Sequence, residues 1–91
     1  MTEIELLREN ITKTDEAMAG LFELRMKLSR AIAAYKRENG LPVFDPSREE
    51  ENLRCGRERV SEDLAPYYLE FLQKCMDLSK AYQKTLLQEE T

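Results

Sequence analysis

Arg25 interrupts an apolar seam. Along the first forty residues, apolar side chains recur at Ile4, Leu7, Ile11, Met18, Leu21, Leu28, Ile32 and Tyr35. The alternating steps of three and four that join Met18 to Leu21 lead next to Arg25, and the pattern resumes at Leu28. A guanidinium among apolar side chains needs a partner or a ligand, because an unpaired buried charge is expensive. The competing reading is an arginine that snorkels to solvent or sits in a salt bridge. Lys36 follows close to three helical turns later, on the same face and roughly 16 Å further along the axis. By itself, a lysine near a helix end also serves as a solvated charge that compensates the dipole. Together the two cations suit a small ligand bearing carboxylates, which the guanidinium fork binds bidentately.

Other polar residues extend the set. Arg8 precedes Arg25 by roughly 25 Å along a straight helix, too far for one chain to bring both to one small ligand. An antiparallel partner could carry its own Arg8 across; otherwise Arg8 is a surface arginine. Asp45-Pro46-Ser47-Arg48-Glu49 opens a second helix whose free N–H groups can receive polar oxygens. Arg48 and Glu49 fall in its first turn, and Glu49 lies one turn before Leu53 on the inward stripe. The plainer alternative is that Asp45 caps, Glu49 complements the dipole and Arg48 is solvated. Further on, Ser79 and Gln83 stand one turn apart, a neutral donor pair able to address two oxygens of one ligand. Ordinary polarity at a helix boundary is the competing explanation.

The chemistry these residues do not support is equally informative. Histidine is absent, and Cys55 and Cys75 are the only cysteines, with no CxxC. That argues against a zinc site. Neither cysteine is identifiable as a nucleophile, and packing is the simpler role for both. Lys and Arg number 14 against 18 Asp and Glu, for a formal net charge of −4. A mildly acidic chain argues against nucleic acid or an anionic membrane as the main partner, yet leaves room for a local cationic pocket. Two unpaired thiols, and an N-terminus Met1-Thr2-Glu3-Ile4-Glu5 with neither a basic nor an apolar leader region, suggest a reducing cytoplasm. No stretch approaches transmembrane length.

The elements that must position these residues are helices. The 91 residues make one small domain, spanning residues 1–91, with only three glycines and three prolines to form turns. The spacing predicts a first helix from Ile4 to Asn39, stopped by Asn39-Gly40-Leu41-Pro42 with Gly40 as a left-handed cap. Asp45 and Pro46 predict the start of a second helix running to about Arg59 or Val60. Its apolar stripe is thin, and Gly56 weakens it by roughly 1 kcal/mol relative to alanine. Ser61-Glu62-Asp63 turns into a third helix that tolerates Pro66 in its first turn and persists to about Gln88. Leu64, Tyr68, Phe71, Cys75, Leu78, Tyr82 and Leu86 form its expected stripe. The predicted class is therefore all-α, with three helices and a long first one. That first helix would span roughly 50 Å, whereas a compact domain of this size has a radius of gyration near 12 Å. The far half of its seam needs a cover. A second copy in an intertwined homodimer is the simplest, and a free coiled-coil stalk the alternative.

Taken together, the sequence resembles the all-helical, type II chorismate mutases. The stretches that carry the resemblance are Leu7 to Asp15, Leu24-Arg25-Met26-Lys27-Leu28, Tyr35 to Glu49, and Ser79-Lys80-Ala81-Tyr82-Gln83. Their order and spacing cover nearly the whole chain, and the segment from Arg57 to Pro66 aligns most loosely. The resemblance implies an intertwined homodimer with two active sites, no cofactor and no metal. It implies the rearrangement of chorismate to prephenate on the route to phenylalanine and tyrosine. Arg25 and Arg8 from the other chain would hold substrate carboxylates. Lys36 would contact a carboxylate and the breaking ether oxygen, and Gln83 the same ether oxygen. Asp45, through its backbone, and Glu49 would address the ring hydroxyl, with Arg48 and Ser79 completing the polar wall. Isochorismate pyruvate-lyases occur on the same fold with a similar cationic pocket, and spacing does not separate the two activities. A non-catalytic helical dimer also explains the seam, but leaves an arginine at its centre unexplained.

The residue types fit such a reaction without appeal to the family. A sigmatropic rearrangement needs no nucleophile, metal or proton transfer. A protein accelerates it by selecting the compact conformer and by stabilising negative charge that grows on the ether oxygen.

Overall fold

The computed structural model describes residues 1–89, which form three helices: α1 (Glu3–Glu38), α2 (Pro46–Arg57) and α3 (Ala65–Glu89). The boundaries from the start of α1 to the start of α3 have local chemical causes. Thr2 caps α1 by accepting the Glu5 amide at 3.2 Å, and acidic Glu3 and Glu5 in the first turn complement the dipole. At the other end Gly40 adopts φ 64°, as its left-handed cap position requires. The Leu41 amide then donates to the Lys36 carbonyl at 2.8 Å and the Gly40 amide to that of Arg37 at 3.3 Å. This pair of bonds is a Schellman closure. Asp45 caps α2 through the Arg48 amide at 3.1 Å, with Pro46 at the first helical position. α2 stops at Arg57, two or three residues short of the predicted end. There the Glu58 and Arg59 amides fold back on the Cys55 and Gly56 carbonyls in tighter, three-residue turns. The Ser61 carbonyl accepts from Leu64 and Ala65, and α3 begins with Pro66 in its first turn, where a missing N–H breaks no helical bond.

α3 is the central element. α1 and α2 each pack on it. α1 runs beside α3 in the same direction, through its second half, where small Ser29 and Ala33 are buried. α2 returns antiparallel along another face of α3. Gly56 is buried in that contact, and a Cβ there would come within 2.7 Å of Leu72 Cδ2 and 3.4 Å of Tyr68 Cε2. The glycine that weakens α2 locally is thus the residue that lets α2 approach α3.

The buried face of α3 is not the apolar stripe that the sequence suggested. Ala65, Leu72, Met76, Ser79 and Gln83 are buried, whereas Leu64, Phe71 and Leu78 are exposed. Two of the buried positions are polar and one is alanine, so hydropathy alone points to the neighbouring arc. α1 shows a similar pattern. Ile4, Leu7, Ile11, Met18, Leu21, Leu28, Ile32 and Tyr35 are all exposed, Leu21 at 67%.

The protomer is correspondingly elongated. It measures 55 × 28 × 14 Å with a radius of gyration of 16.7 Å, against about 12 Å for a compact chain of this length. The first half of α1 projects beyond the packed region, as its length predicted. Among the described residues, no helix is long and apolar enough to cross a membrane.

Candidate active site

A cavity of about 420 Å³ opens where α1, the α1–α2 loop, the start of α2 and the middle of α3 meet. That volume suits a small molecule. Every residue singled out from the sequence except Arg8 lines it: Arg25 and Lys36 from α1, Asp45, Arg48 and Glu49 from the start of α2, Ser79 and Gln83 from α3. Leu28, Ile32, Val43 and Met76 supply apolar wall between them. Arg8 lies on the exposed first half of α1 and does not reach the cavity of its own chain.

Arg25 and Lys36 share one face of α1, as their spacing requires, and both are half-buried. Neither is anchored by a carboxylate. Arg25 donates through Nη1 to the Cys75 carbonyl at 3.3 Å, and Lys36 donates to the Val43 carbonyl at 2.7 Å. A carbonyl orients a cation without neutralising it, so both remain able to attract an anion. The Lys36 contact also ties the loop after α1 over the cavity. Arg48 is largely exposed at the rim and reaches only Glu51, at 3.5 Å, a contact worth little in solvent.

The α3 wall holds a chain of neutral donors. Gln83 Nε2 donates to Ser79 Oγ at 3.2 Å. Ser79 and Ser29 share a hydroxyl–hydroxyl hydrogen bond, and Ser29 Oγ donates to the Arg25 carbonyl at 3.0 Å. Gln83 is only 5% exposed, and its Oε1 is buried with no hydrogen-bond partner. A buried orphan oxygen carries a penalty of about 1–3 kcal/mol. Half a turn of the amide lets Ser79 donate to Oε1 and turns Nε2 into the cavity. The side chain is therefore poised to offer a donor to a ligand oxygen.

Glu49 forms the opposite pole. Its Oε2 accepts from Lys80 Nζ at 2.8 Å and its Oε1 from Gln73 Nε2 at 3.3 Å. The hydrogen bond from Lys80 to Glu49 is the main cause raising the lysine's pKa, with burial opposing it. Gln73 also donates to Asp77 at 3.1 Å, the chief reason that carboxyl's pKa is lowered. Among the described residues, no group of His, Cys, Asp and Glu is arranged to hold a metal ion.

Sequence reasoning missed Ser29, Asn52 and Lys80, which also line the cavity. Ser29 carried a usable signal, one turn after Arg25 on the same face. Asn52 donates weakly to Met76 Sδ at 3.7 Å and had none.

Residues 7–84 match the family model described as chorismate mutase type II. A bifunctional chorismate mutase/prephenate dehydratase from Aquifex aeolicus is 33% identical over an alignment covering 88% of this chain and 25% of that protein. The chain thus spans about a quarter of the length of that curated relative. Among solved structures, a conserved hypothetical protein from Pyrococcus furiosus superposes with a TM-score of 0.76 at 34% identity. That match covers 91% of this chain and 97% of the other.

Proposed function

The chain belongs to the type II chorismate mutase family, and from that premise we propose that it converts chorismate to prephenate as an intertwined, cytoplasmic homodimer. The observation that carries the reading is the convergence of Arg25, Lys36, Arg48, Ser79 and Gln83 from three helices on one cavity of about 420 Å³. Two half-exposed free thiols, Cys55 and Cys75, are consistent with a reducing compartment.

Chorismate carries two carboxylates and an enol ether. Arg25 holds one carboxylate, and Arg8 of the partner subunit holds the other. Lys36 reaches a carboxylate and the ether oxygen, while Arg48 and Ser79 complete the polar wall. These cations bind the dianion in its compact conformer, in which the two reacting carbons approach. As the C–O bond breaks, negative charge grows on the ether oxygen. Lys36 and the turned amide of Gln83 donate to it there, and donors held in place between the apolar walls of Leu28, Ile32, Val43 and Met76 are worth more than water. Glu49 accepts the proton of the ring hydroxyl, whose oxygen accepts from the Asp45 backbone N–H, and the two set the ring's orientation. No proton is transferred and no covalent intermediate forms.

The two-chain arrangement is supported by the exposed seam. Ile4 to Tyr35 leaves eight large apolar side chains of one face uncovered, among them Ile11 and Leu21. An apolar surface of that length calls for a cover, and an antiparallel copy would carry Arg8 toward the other cavity.

The test is direct. Purified protein incubated with chorismate consumes it and yields prephenate in equal amount. A folded dimer without turnover overturns the proposal. Pyruvate release from isochorismate, faster than prephenate formation from chorismate, reassigns the site to the lyase reaction.

A further inference from the structure

Lys80 has no part in the roles described so far, yet its ammonium occupies a crowded point of the cavity wall. Nζ lies 2.8 Å from Glu49 Oε2, 3.4 Å from Asp77 Oδ1 and 4.6 Å from the centroid of the Phe44 ring. The Lys80 and Glu49 side chains are only 23% and 17% exposed. Gln73 holds the other Glu49 oxygen. Both oxygens of this carboxylate are therefore fixed from α3, across the α2–α3 contact.

An ammonium has three donors. One points at Glu49 and one at Asp77, and the aromatic face of Phe44 takes up the remaining side of the charge. Lys80 therefore has no free donor for a carboxylate of the substrate, unlike Arg25 and Lys36. Its effect on the cavity must run through Glu49 and Phe44. We propose that Lys80 is a positioning residue: it holds the Glu49 carboxylate in the one orientation that accepts from the substrate's ring hydroxyl. It also clamps Phe44, and so the Val43–Asp45 loop, over the same cavity. This assignment rests on the mutase reading and on the role of Glu49 within it.

Charge balance explains why the pair is needed. A lone carboxylate in the wall would repel a dianionic substrate in a medium less polar than water. Paired with Lys80, Glu49 keeps an accepting lone pair while its repulsion is reduced; Asp77, which shares the ammonium, is half-exposed and screened by solvent, so Arg25 and Lys36 stay the dominant charges facing the cavity. A lysine is charged over the physiological range in any case, and the upward shift of its pKa, caused chiefly by Glu49, reflects how closely the two groups are paired.

The test is a double-mutant cycle of wild type, Lys80→Met, Glu49→Gln and the double variant, with Lys80→Arg as the conservative control. Each is assayed for kcat and KM with chorismate and checked by circular dichroism. Lys80→Met is expected to lower kcat/KM about tenfold, the size of one hydrogen bond to a charged group. Most of the loss appears in KM, because the ring hydroxyl is held in ground and transition states alike. In the Glu49→Gln background the same substitution costs clearly less, about two- to threefold, since no carboxylate remains to be held and only the Phe44 contact is lost. Lys80→Arg recovers most of the activity. If Lys80→Met loses helix content, Lys80→Gln takes its place in the cycle. Equal losses in both backgrounds, or no loss at all, in an otherwise active enzyme overturn this assignment alone. A wild-type protein that does not turn over chorismate overturns the mutase reading and this assignment together.

Discussion

Replacing Gln83 with glutamate tests the chemistry at the breaking bond. Gln83 is buried beside Ser79, and its amide has one partner and one orphan oxygen. In the proposed mechanism its nitrogen turns to donate to the ether oxygen, and an amide does so equally at every pH between 4 and 10, having no proton to lose (a range bounded by about the ordinary carboxyl and lysine pKa values). A carboxyl in its place donates only while protonated. Ionised, it removes the donor and sets a negative charge against the oxygen that is itself becoming negative. Loss of one such donor costs about 10²–10³ in kcat, or about 3–4 kcal/mol. The Gln83→Glu variant should therefore fall by at least about that factor near pH 7.5 and recover progressively toward acid, following the neutral fraction of the carboxyl. The assay is chorismate consumption by wild type and variant across pH 4.5–8.5 (about the span over which such a carboxyl titrates), read as the ratio of their kcat values. A ratio that stays constant across that range refutes the reasoning, because it would mean that this side chain does not donate at the reacting oxygen.

Two further substitutions probe other parts of the site and the seam. Lys36→Ala removes a donor at the ether oxygen and the tether to the Val43 carbonyl; kcat/KM should drop by about 10²–10³, and steady-state kinetics of a variant with unchanged helix content checks it. Leu21→Glu sets a charge on the seam at a position 67% exposed in the protomer; it should leave local helix formation intact but prevent dimerisation, seen as a monomeric mass by analytical ultracentrifugation together with lost turnover.

The helices and most of the cavity were legible because their determinants are local. Gly40, Asp45 and Pro46 fix the ends of α1 and α2 through cap geometry that single residues specify. Arg25 was legible because it breaks a periodic pattern, and Lys36 because helical geometry returns it to the same face. The buried face of α3 was not, since Ala65, Ser79 and Gln83 carry little hydropathy and are inside through packing and hydrogen bonding. Lys80 stayed hidden for a related reason. Its long stem carries the charge well away from its own backbone position, so its partners Glu49 and Phe44 belong to other elements and leave no spacing signature. Gly56 read as a local weakness; only the antiparallel approach of α2 to α3, with Leu72 against its backbone, gives it a purpose. The whole α1 seam looks like core in the sequence but lies open in one protomer, and the proposed dimer is what would cover it.

Cations from two chains meeting on one dianion, as proposed, make a prediction that activity alone cannot imitate. Arg8→Ala and Arg25→Ala should each abolish most turnover as homodimers. When the two variants are co-expressed in equal amounts, half of the dimers are mixed and each mixed dimer keeps one intact site of two, so about a quarter of wild-type activity should return. Recovery to that level is the predicted result. Mixed dimers isolated by orthogonal tags that remain as inactive as their parents would contradict a site shared between subunits.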